Sequence, residues 1–283
     1  MEARGETTAS NGFWKREVVE GTVDVADLVS RSKLADYVVN PYVGCPHACR
    51  YCYARFTTRF RPERPELWGD FVDVKRCSKP LGAKRLTGKT VFMSSVTDAY
   101  NPAERKYRAT RRILEELASI DCSLSITTKS NLILRDLDLL KARAERGLVS
   151  VSISLNTLDD AFRSEMDAAS SVEERLETLR VLSEAGVPTV LFMSPIFPFV
   201  TDFRALVEAA RPFVGEVWFE NLKLRRGYKE DILSYIRARF PQFYAEYLKI
   251  YRRGDVGYWT ALKEEIADYC ERTGVPNRIF FHY

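Results

Sequence analysis

The sequence predicts an α/β protein built on a parallel sheet and followed by a C-terminal helical extension. Three observations carry this expectation. Six apolar, β-branched runs recur with room for a helix between successive members, amphipathic stripes occupy those gaps, and the strand rhythm stops near residue 222. Strands covered by helices on both faces read as near-continuous apolar runs, which is what these segments show.

The opening stretch, MEARGETTASNG, has no apolar core of the kind a signal segment needs, so residues 1–33 read as an N-terminal tail and lead-in. The strand runs follow as LADYVVN (34–40), KTVFMSS (89–95), CSLSITT (122–128), VSVSISL (149–155), VPTVLFMS (187–194) and EVWFE (216–220). Between them Tyr107, Thr110, Leu114 and Leu117 share one helical face, and Leu176, Leu179 and Leu182 share another. Asn101-Pro102-Ala103-Glu104 supplies an N-cap, a proline at the first helical position and an early carboxylate. Ser170 with Glu173 has the spacing of a capping box, and Gly186-Val187-Pro188 closes that helix. Beyond residue 222, Ile232, Tyr235, Ile236 and Phe240 form one stripe and Leu262, Ile266 and Tyr269 another. Right-handed crossovers make the sheet parallel, either open and doubly wound or curled toward a barrel. Six units are too few to close an eight-stranded barrel, and no glycine-rich nucleotide fingerprint follows any strand.

With 283 residues, 46% of them apolar, the chain can bury a full core, which excludes disorder for the bulk of it. No run approaches the roughly 18 apolar residues of a spanning helix, so a cytoplasmic protein without a membrane partner is expected. A formal charge of +4 permits an anionic partner. Cys77, Cys122 and Cys270 stand singly, and the apolar surroundings of Cys122 and Cys270 suit buried thiols and not a disulfide framework.

The other three cysteines crowd into NPYVGCPHACRYCY, residues 40–53. Cys45, Cys49 and Cys52 follow the first strand, so their thiols project from the carboxyl end of the sheet, where α/β folds place their sites. A structural zinc site takes four protein ligands, commonly as two separated pairs. Three cysteines on a four-iron cluster instead leave one iron open to a substrate or cofactor. Gly44 gives the loop a tight turn beside that site. His47 would close the open position if it were a fourth ligand and is set aside; His282, near the C-terminus, is set aside as inert.

The C-x3-C-x2-C spacing with an aromatic before the last cysteine resembles the radical S-adenosylmethionine superfamily. The wider string NPYVGCPHACRYCYAR resembles its spore photoproduct lyase-like branch, the superfamily likeness running over about residues 34–220. The resemblance implies a partial (β/α)6 barrel over 34–222 with the helical extension over 223–283. It also implies a [4Fe-4S] cluster on Cys45, Cys49 and Cys52, with S-adenosyl-L-methionine chelated at the open iron. An electron from a low-potential donor such as ferredoxin or flavodoxin would then yield a 5'-deoxyadenosyl radical that abstracts hydrogen from a substrate.

By the same resemblance Tyr53 lines the adenine, and Thr97 and Asp98 in SSVTDAYNP match a small-polar-Asp string. Lys129 in TTKSN meets the cofactor carboxylate, and Ser154 in ISLNT, with Asn156 beside it, matches a branch serine. Read without the resemblance, Asp98 is a turn residue, Lys129 a solvated charge, Ser154 a satisfied buried hydroxyl and Tyr53 a packed aromatic. The likeness breaks at Ser95, where the lyase carries a cysteine hydrogen donor; a serine O–H bond is too strong to replace it. Cys77 and Tyr100 are the other candidate donors.

In the C-terminal region Arg225, Arg226, Arg237, Arg239, Arg252 and Arg253 alternate with seven aromatics. This suits phosphate contact with base stacking, and equally suits amphipathic helices with core aromatics. Three functions follow: a radical enzyme on a nucleic-acid base, the same chemistry on a peptide or small metabolite, or a non-catalytic iron-sulfur or zinc binding module.

Overall fold

Strands and helices alternate from Val19 to Phe280 in the computed structural model, which describes residues 17–61, 63–225 and 227–283. Residues 1–16 of the expected tail and lead-in, with Pro62 and Arg226, lie outside the described residues. The strands are β1 (Val19–Asp24), β2 (Val29–Arg31), β3 (Tyr37–Val39), β4 (Tyr42–Gly44), β5 (Phe71–Arg76), β6 (Thr90–Met93), β7 (Ser123–Thr128), β8 (Val149–Ser154), β9 (Thr189–Ile196), β10 (Glu216–Asn221) and β11 (Asn277–Phe280).

The main sheet runs β11-β10-β9-β8-β7-β6-β3-β2, parallel throughout except for the antiparallel edge pair of β2 and β3. It ends at β2 on one side and β11 on the other, an α/β architecture consistent with a partial barrel. The six strand runs read from sequence all lie in this sheet. A seventh parallel strand, β11, was missed, because its four residues carry a charge and alternate in burial instead of forming an apolar run. Arg278 of β11 pairs with Glu216 of β10 at 2.7 Å and lies over the Trp218 ring, which joins the end of the chain to the sheet.

The two faces of the sheet differ. Val91, Met93, Ile126, Val151, Leu191 and Phe219 are sealed against helices in one continuous core. Phe192, Ser194, Trp218 and Glu220, on the opposite face, are only partly covered, so side chains do not fill the interior as they fill a closed barrel. The C-terminal helices Lys229–Arg239, Tyr244–Arg252 and Gly257–Thr273 join the same core through Ile232, Ile236, Tyr247, Trp259 and Ile266. Their aromatics belong to it: Tyr228 and Tyr247 are buried, and Tyr235, Phe240, Phe243, Tyr244 and Tyr251 pack against it. Of the two readings of this region, the amphipathic one describes the aromatics, while Arg225, Arg237, Arg239, Arg252 and Arg253 remain at the surface. No helix among the described residues is long and apolar enough to cross a membrane.

Two local expectations shift. The helix expected after Asn101 is broken: a single turn, Glu104–Tyr107, ends at Arg108 in the left-handed region (φ 51°), and a second helix starts at Ala109. The cause is Glu104, whose buried carboxylate accepts from the N–H groups of Thr110 (2.9 Å) and Arg111 (3.3 Å) and pairs with Arg135. The capping box stands one residue later, on Ser171 and Glu174, because the Ser170 hydroxyl accepts from the Asn131 N–H instead.

A second sheet, β1-β5-β4, braces the cysteine segment. Its buried Asp73 pairs with Arg61 (2.8 Å) and Arg64, both from the segment that follows the cysteines. Gly44, the last residue of β4, has φ +80°, and a Cβ there would stand 2.4 Å from the Phe71 carbonyl oxygen across the strand pair. Gly44→Ala should therefore cost about 1–3 kcal/mol from the left-handed backbone alone, with the clash added. Urea denaturation checks this; an unchanged midpoint would mean that the strand pair can open at no cost.

Candidate functional site

The cysteine loop leaves β4 at Gly44 and is held by two tight turns, with the Ala48 N–H donating to the Cys45 carbonyl and the Cys52 N–H to the Cys49 carbonyl, each at 3.1 Å. Cys45 and Cys49 are buried and Cys52 is half-buried. Burial pushes all three thiols above their ordinary range; Asp98 at Cys45 and Asp167 at Cys49 add to the effect, as do the neighbouring thiols. Three N–H groups oppose this: that of His47 at Cys45, and those of Ala54 and Arg55 at Cys52; the Lys129 charge also lowers Cys49 and Cys52. Dry thiols met by N–H donors and a cation suit thiolate ligands to an iron-sulfur cluster, with the metal taking the place of the protons. Among the described residues no three histidine, cysteine or carboxylate side chains are gathered closely enough to hold one metal ion. A four-iron cube does not require that convergence, because it spaces its thiolates on separate corners.

Two buried carboxylates pin the loop from opposite flanks. Asp98, just beyond β6, accepts from Tyr100 N–H (2.9 Å), Thr128 Oγ1 (2.7 Å) and Lys129 N–H (3.0 Å), and meets His47 Nδ1 at 3.3 Å. Burial raises its pKa, but His47 and these hydrogen bonds outweigh the desolvation and hold it well below the usual carboxylate range. Asp167 accepts from the Tyr51 hydroxyl (3.0 Å) and the Ala169 N–H (3.1 Å), and pairs with the buried Arg175. Arg175 also donates to the carbonyls of Ser170 (2.9 Å) and Ser154 (3.2 Å), which carries the connection to the end of β8. Backbone bonds from Arg50 to Met166 (2.9 Å) and from Ala168 to His47 (2.8 Å) lace the loop to the same segment, and Arg50 pairs with Asp231 at 2.8 Å.

The expected cofactor residues fall around this loop in different ways. Lys129 is half-buried, its ammonium over the Tyr51 ring at 5.8 Å, and it makes no ion pair among the described residues. Tyr53 is 44% exposed, and its hydroxyl donates to the Ser95 carbonyl. Thr97 donates to the Gly44 carbonyl at 2.6 Å, so its hydroxyl ties two strand ends together. All the acceptors of Asp98 face protein donors, which makes it the hub of the site. Ser154 is buried and reaches the loop through its own carbonyl and Arg175, while the Asn156 amide donates to the Pro195 carbonyl at 3.1 Å, toward β9. Ser95 sits beside Tyr53 with its hydroxyl on the Asn40 side chain (3.2 Å). Tyr100 is fully buried in the core, and the Cys77 thiol lies against the Lys79 carbonyl.

Sequence reasoning missed the Tyr51–Asp167–Arg175 connection. A signal existed: Arg175 occupies the buried stripe of its helix with Val172, Leu179 and Leu182. An arginine on a core stripe implies a buried acid. It also set aside His282, whose N–H donates to Asn221 Oδ1 (2.8 Å) while Asn221 donates to its carbonyl (2.9 Å). This returns the chain end to β10, with the imidazole 3.8 Å from Glu220, itself bonded to Ser194. Glu220 and Arg225 both act on the Tyr53 phenol, so this group borders the same mouth. No sequence pattern could announce that return.

Residues 39–210, more than half of the chain, match the Radical SAM superfamily. An uncharacterized protein of Methanocaldococcus jannaschii is 36% identical over 214 residues, covering 74% of this chain and 78% of its own. An uncharacterized protein of Mycobacterium tuberculosis is 29% identical over 246 residues, covering 82% and 72%. Among solved structures, a spore photoproduct lyase variant with bound AdoMet and dinucleoside spore photoproduct aligns with TM-score 0.56 at 18% identity. That match covers 80% of this chain and 66% of the lyase, so the chain spans just under two thirds of the lyase's length. Streptococcus suis SuiB bound to S-adenosylmethionine aligns with TM-score 0.53 at 14% identity, over 87% of this chain and 50% of SuiB. At these identities the structures share a fold with this chain.

The buried pair makes a measurable claim. Asp167→Ala strands the Arg175 charge and should destabilise the protein by about 3–5 kcal/mol, whereas Asp167→Leu with Arg175→Met should recover most of that loss. A double-mutant cycle in urea separates the two, and additive losses would show that the residues are not coupled.

Proposed function

The chain belongs to the radical SAM superfamily, and from that premise we propose that Cys45, Cys49 and Cys52 hold a [4Fe-4S] cluster beside bound S-adenosyl-L-methionine in an enzyme that takes hydrogen from an organic substrate. The observation that carries the assignment of these ligands is the set of dry thiols with N–H groups aimed at two of the sulfurs. When bound, the cluster and S-adenosylmethionine supply the reductive carbon–sulfur cleavage and hydrogen abstraction of the superfamily's reaction.

The chain's own residues position and shield. The Lys129 ammonium takes the cofactor carboxylate, because it stands beside Cys49 and Cys52, makes no direct ion pair among the described residues and meets Asp167 only through space. Tyr53 borders the adenine, its phenol fixed on Ser95. Thr97 and Ser154 fix the strand ends, and Asn156 is held on β9. Asp98 acts behind the cofactor as a positioning residue, orienting Lys129 and His47. The partly covered sheet face, with Ser194, Glu220 and His282 at its rim, receives the substrate.

Two substrate classes are carried. A nucleic-acid base is supported by the fold likeness to a lyase solved with a dinucleoside and by surface Arg237, Arg239 and Arg253. A peptide is supported by the comparable likeness to SuiB solved with its precursor peptide. Nucleic-acid binding that weakens steeply with salt selects the first.

Anaerobic reconstitution should give about four irons per chain, lost when all three cysteines become alanine, and 5'-deoxyadenosine on addition of dithionite and S-adenosylmethionine. One zinc per chain with no iron-sulfur absorbance and no 5'-deoxyadenosine would leave the non-catalytic module in its place. Lys129→Ala should keep the iron and weaken S-adenosylmethionine binding about tenfold to a hundredfold, the loss of one charge-assisted contact. Unchanged affinity would return Lys129 to the surface. With Ser95 in place of a thiol, 5'-deoxyadenosine should form without efficient repair of spore photoproduct; efficient repair would require a donor elsewhere.

A further inference from the structure

The short helix Tyr53–Phe60 begins at the residue after Cys52, the one ligand cysteine that is not buried as a residue. Its outer side carries Phe56, 37% exposed, and Phe60, 62% exposed, in a row that begins at Tyr53. Large aromatics exposed in a contiguous row are uncommon on a surface without a partner. Tyr53 and Phe56 stack at 6.4 Å, and Phe56 and Phe60 meet edge to face at 6.4 Å.

Arginines surround this row. The Arg59 guanidinium lies over Phe56 at 5.4 Å and Phe60 at 4.6 Å, and Arg225 lies over Tyr53 at 5.8 Å. Arg55, Arg59 and Arg225 make no ion pair among the described residues, whereas Arg61 and Arg64 from the same segment are spent on Asp73. The result is an apolar centre at Phe56 and Phe60 with a cationic rim at Arg55 and Arg59, following Cys52 in the chain, with Tyr53 and Arg225 marking its boundary with the cofactor site.

We propose that this surface docks a small acidic electron-carrier protein, flavin- or iron-sulfur-based, which reduces the cluster past Cys52. The step moves one electron: the carrier's centre is oxidised by one, the cluster is reduced by one, and no proton or group is transferred. The inference rests on the cluster assignment above. Electron transfer weakens steeply with distance, and Cys77, Cys122 and Cys270 are scattered over other elements, so they form no relay to a remote docking point. Encounters between redox proteins use small, weak interfaces steered by opposite charge, which fits a short aromatic row rimmed by arginines. A stacked single strand of nucleic acid fits less well, because base stacking needs open ring faces and the guanidiniums already cover these rings.

The test uses reconstituted protein with flavodoxin as the carrier. Binding of oxidised flavodoxin is measured directly, and cluster bleaching is followed in stopped flow with reduced flavodoxin or with dithionite. Arg59→Glu should weaken flavodoxin binding more than tenfold and slow flavodoxin-driven bleaching by a similar factor, while dithionite-driven bleaching stays within twofold. Phe60→Ala should do the same more mildly, Arg59→Lys should recover most of the rate, and added salt should slow only the flavodoxin reaction. Unchanged flavodoxin binding and bleaching in Arg59→Glu overturns the proposal. So does equal slowing of both reductants, which would place Arg59 in the cofactor site. Loss of oligo(dT) binding with the flavodoxin reaction intact would give the surface to nucleic acid and also overturn it. Bleaching is read without 5'-deoxyadenosine, so failure to cleave S-adenosylmethionine counts against the proposed function and not against this surface.

Discussion

The cysteine loop depends on a charge pair that water does not reach. Arg175 and Asp167 are both buried, each would be costly alone, and Asp167 takes a further donor, the Tyr51 hydroxyl, from the loop. Tyr51, between the second and third cysteines, closes the arrangement from the loop side, and the Ser154 carbonyl closes it from the sheet side. Because neither ion can be left unpaired at small cost, the loop and the end of β8 are positioned as one unit. Asp98 and His47 do the same for the flank at β6 and β7.

That double attachment explains how an eight-residue loop without regular structure can keep three thiols dry. The thiols resist ionisation because of burial, and the groups that favour their anions are fixed backbone N–H donors and the charges of Lys129, Arg175 and Arg55. The environment therefore admits thiolates when metal replaces the protons and does not favour free ones. The uneven exposure of the three cysteines, with Cys52 least covered, gives the site one side that faces the surface.

The sheet contributes an asymmetry of its own. One face is sealed by helices and supplies the stability, while the other keeps small hydroxyls and a few aromatics partly open. The C-terminal helices extend the sealed side, and β11 carries the chain back so that His282 and Glu220 meet at the mouth. The last residues thus serve the site through the Asn221 side chain, which holds the returning backbone.

Much of this was legible in the residues. The apolar runs marked six of the seven parallel strands because one face of each is sealed against helices and the other is partly covered, which leaves few positions for charge. The cysteine spacing marked the site because covalent proximity alone brings its thiols together. Gly44 was legible as well, since a turn against Phe71 has no room for a side chain. What the sequence left undecided depended on contacts between residues far apart in the chain. The break at Arg108 follows from Glu104 capping the next helix, and β11 follows from Glu216 and Trp218 receiving Arg278. The packing of the C-terminal aromatics, the Arg175–Asp167 pair and the return of His282 to Glu220 belong to the same class. Periodicity reports which face of an element is buried, and it cannot report what that face meets. The partner of a buried charge is chosen by the assembled fold.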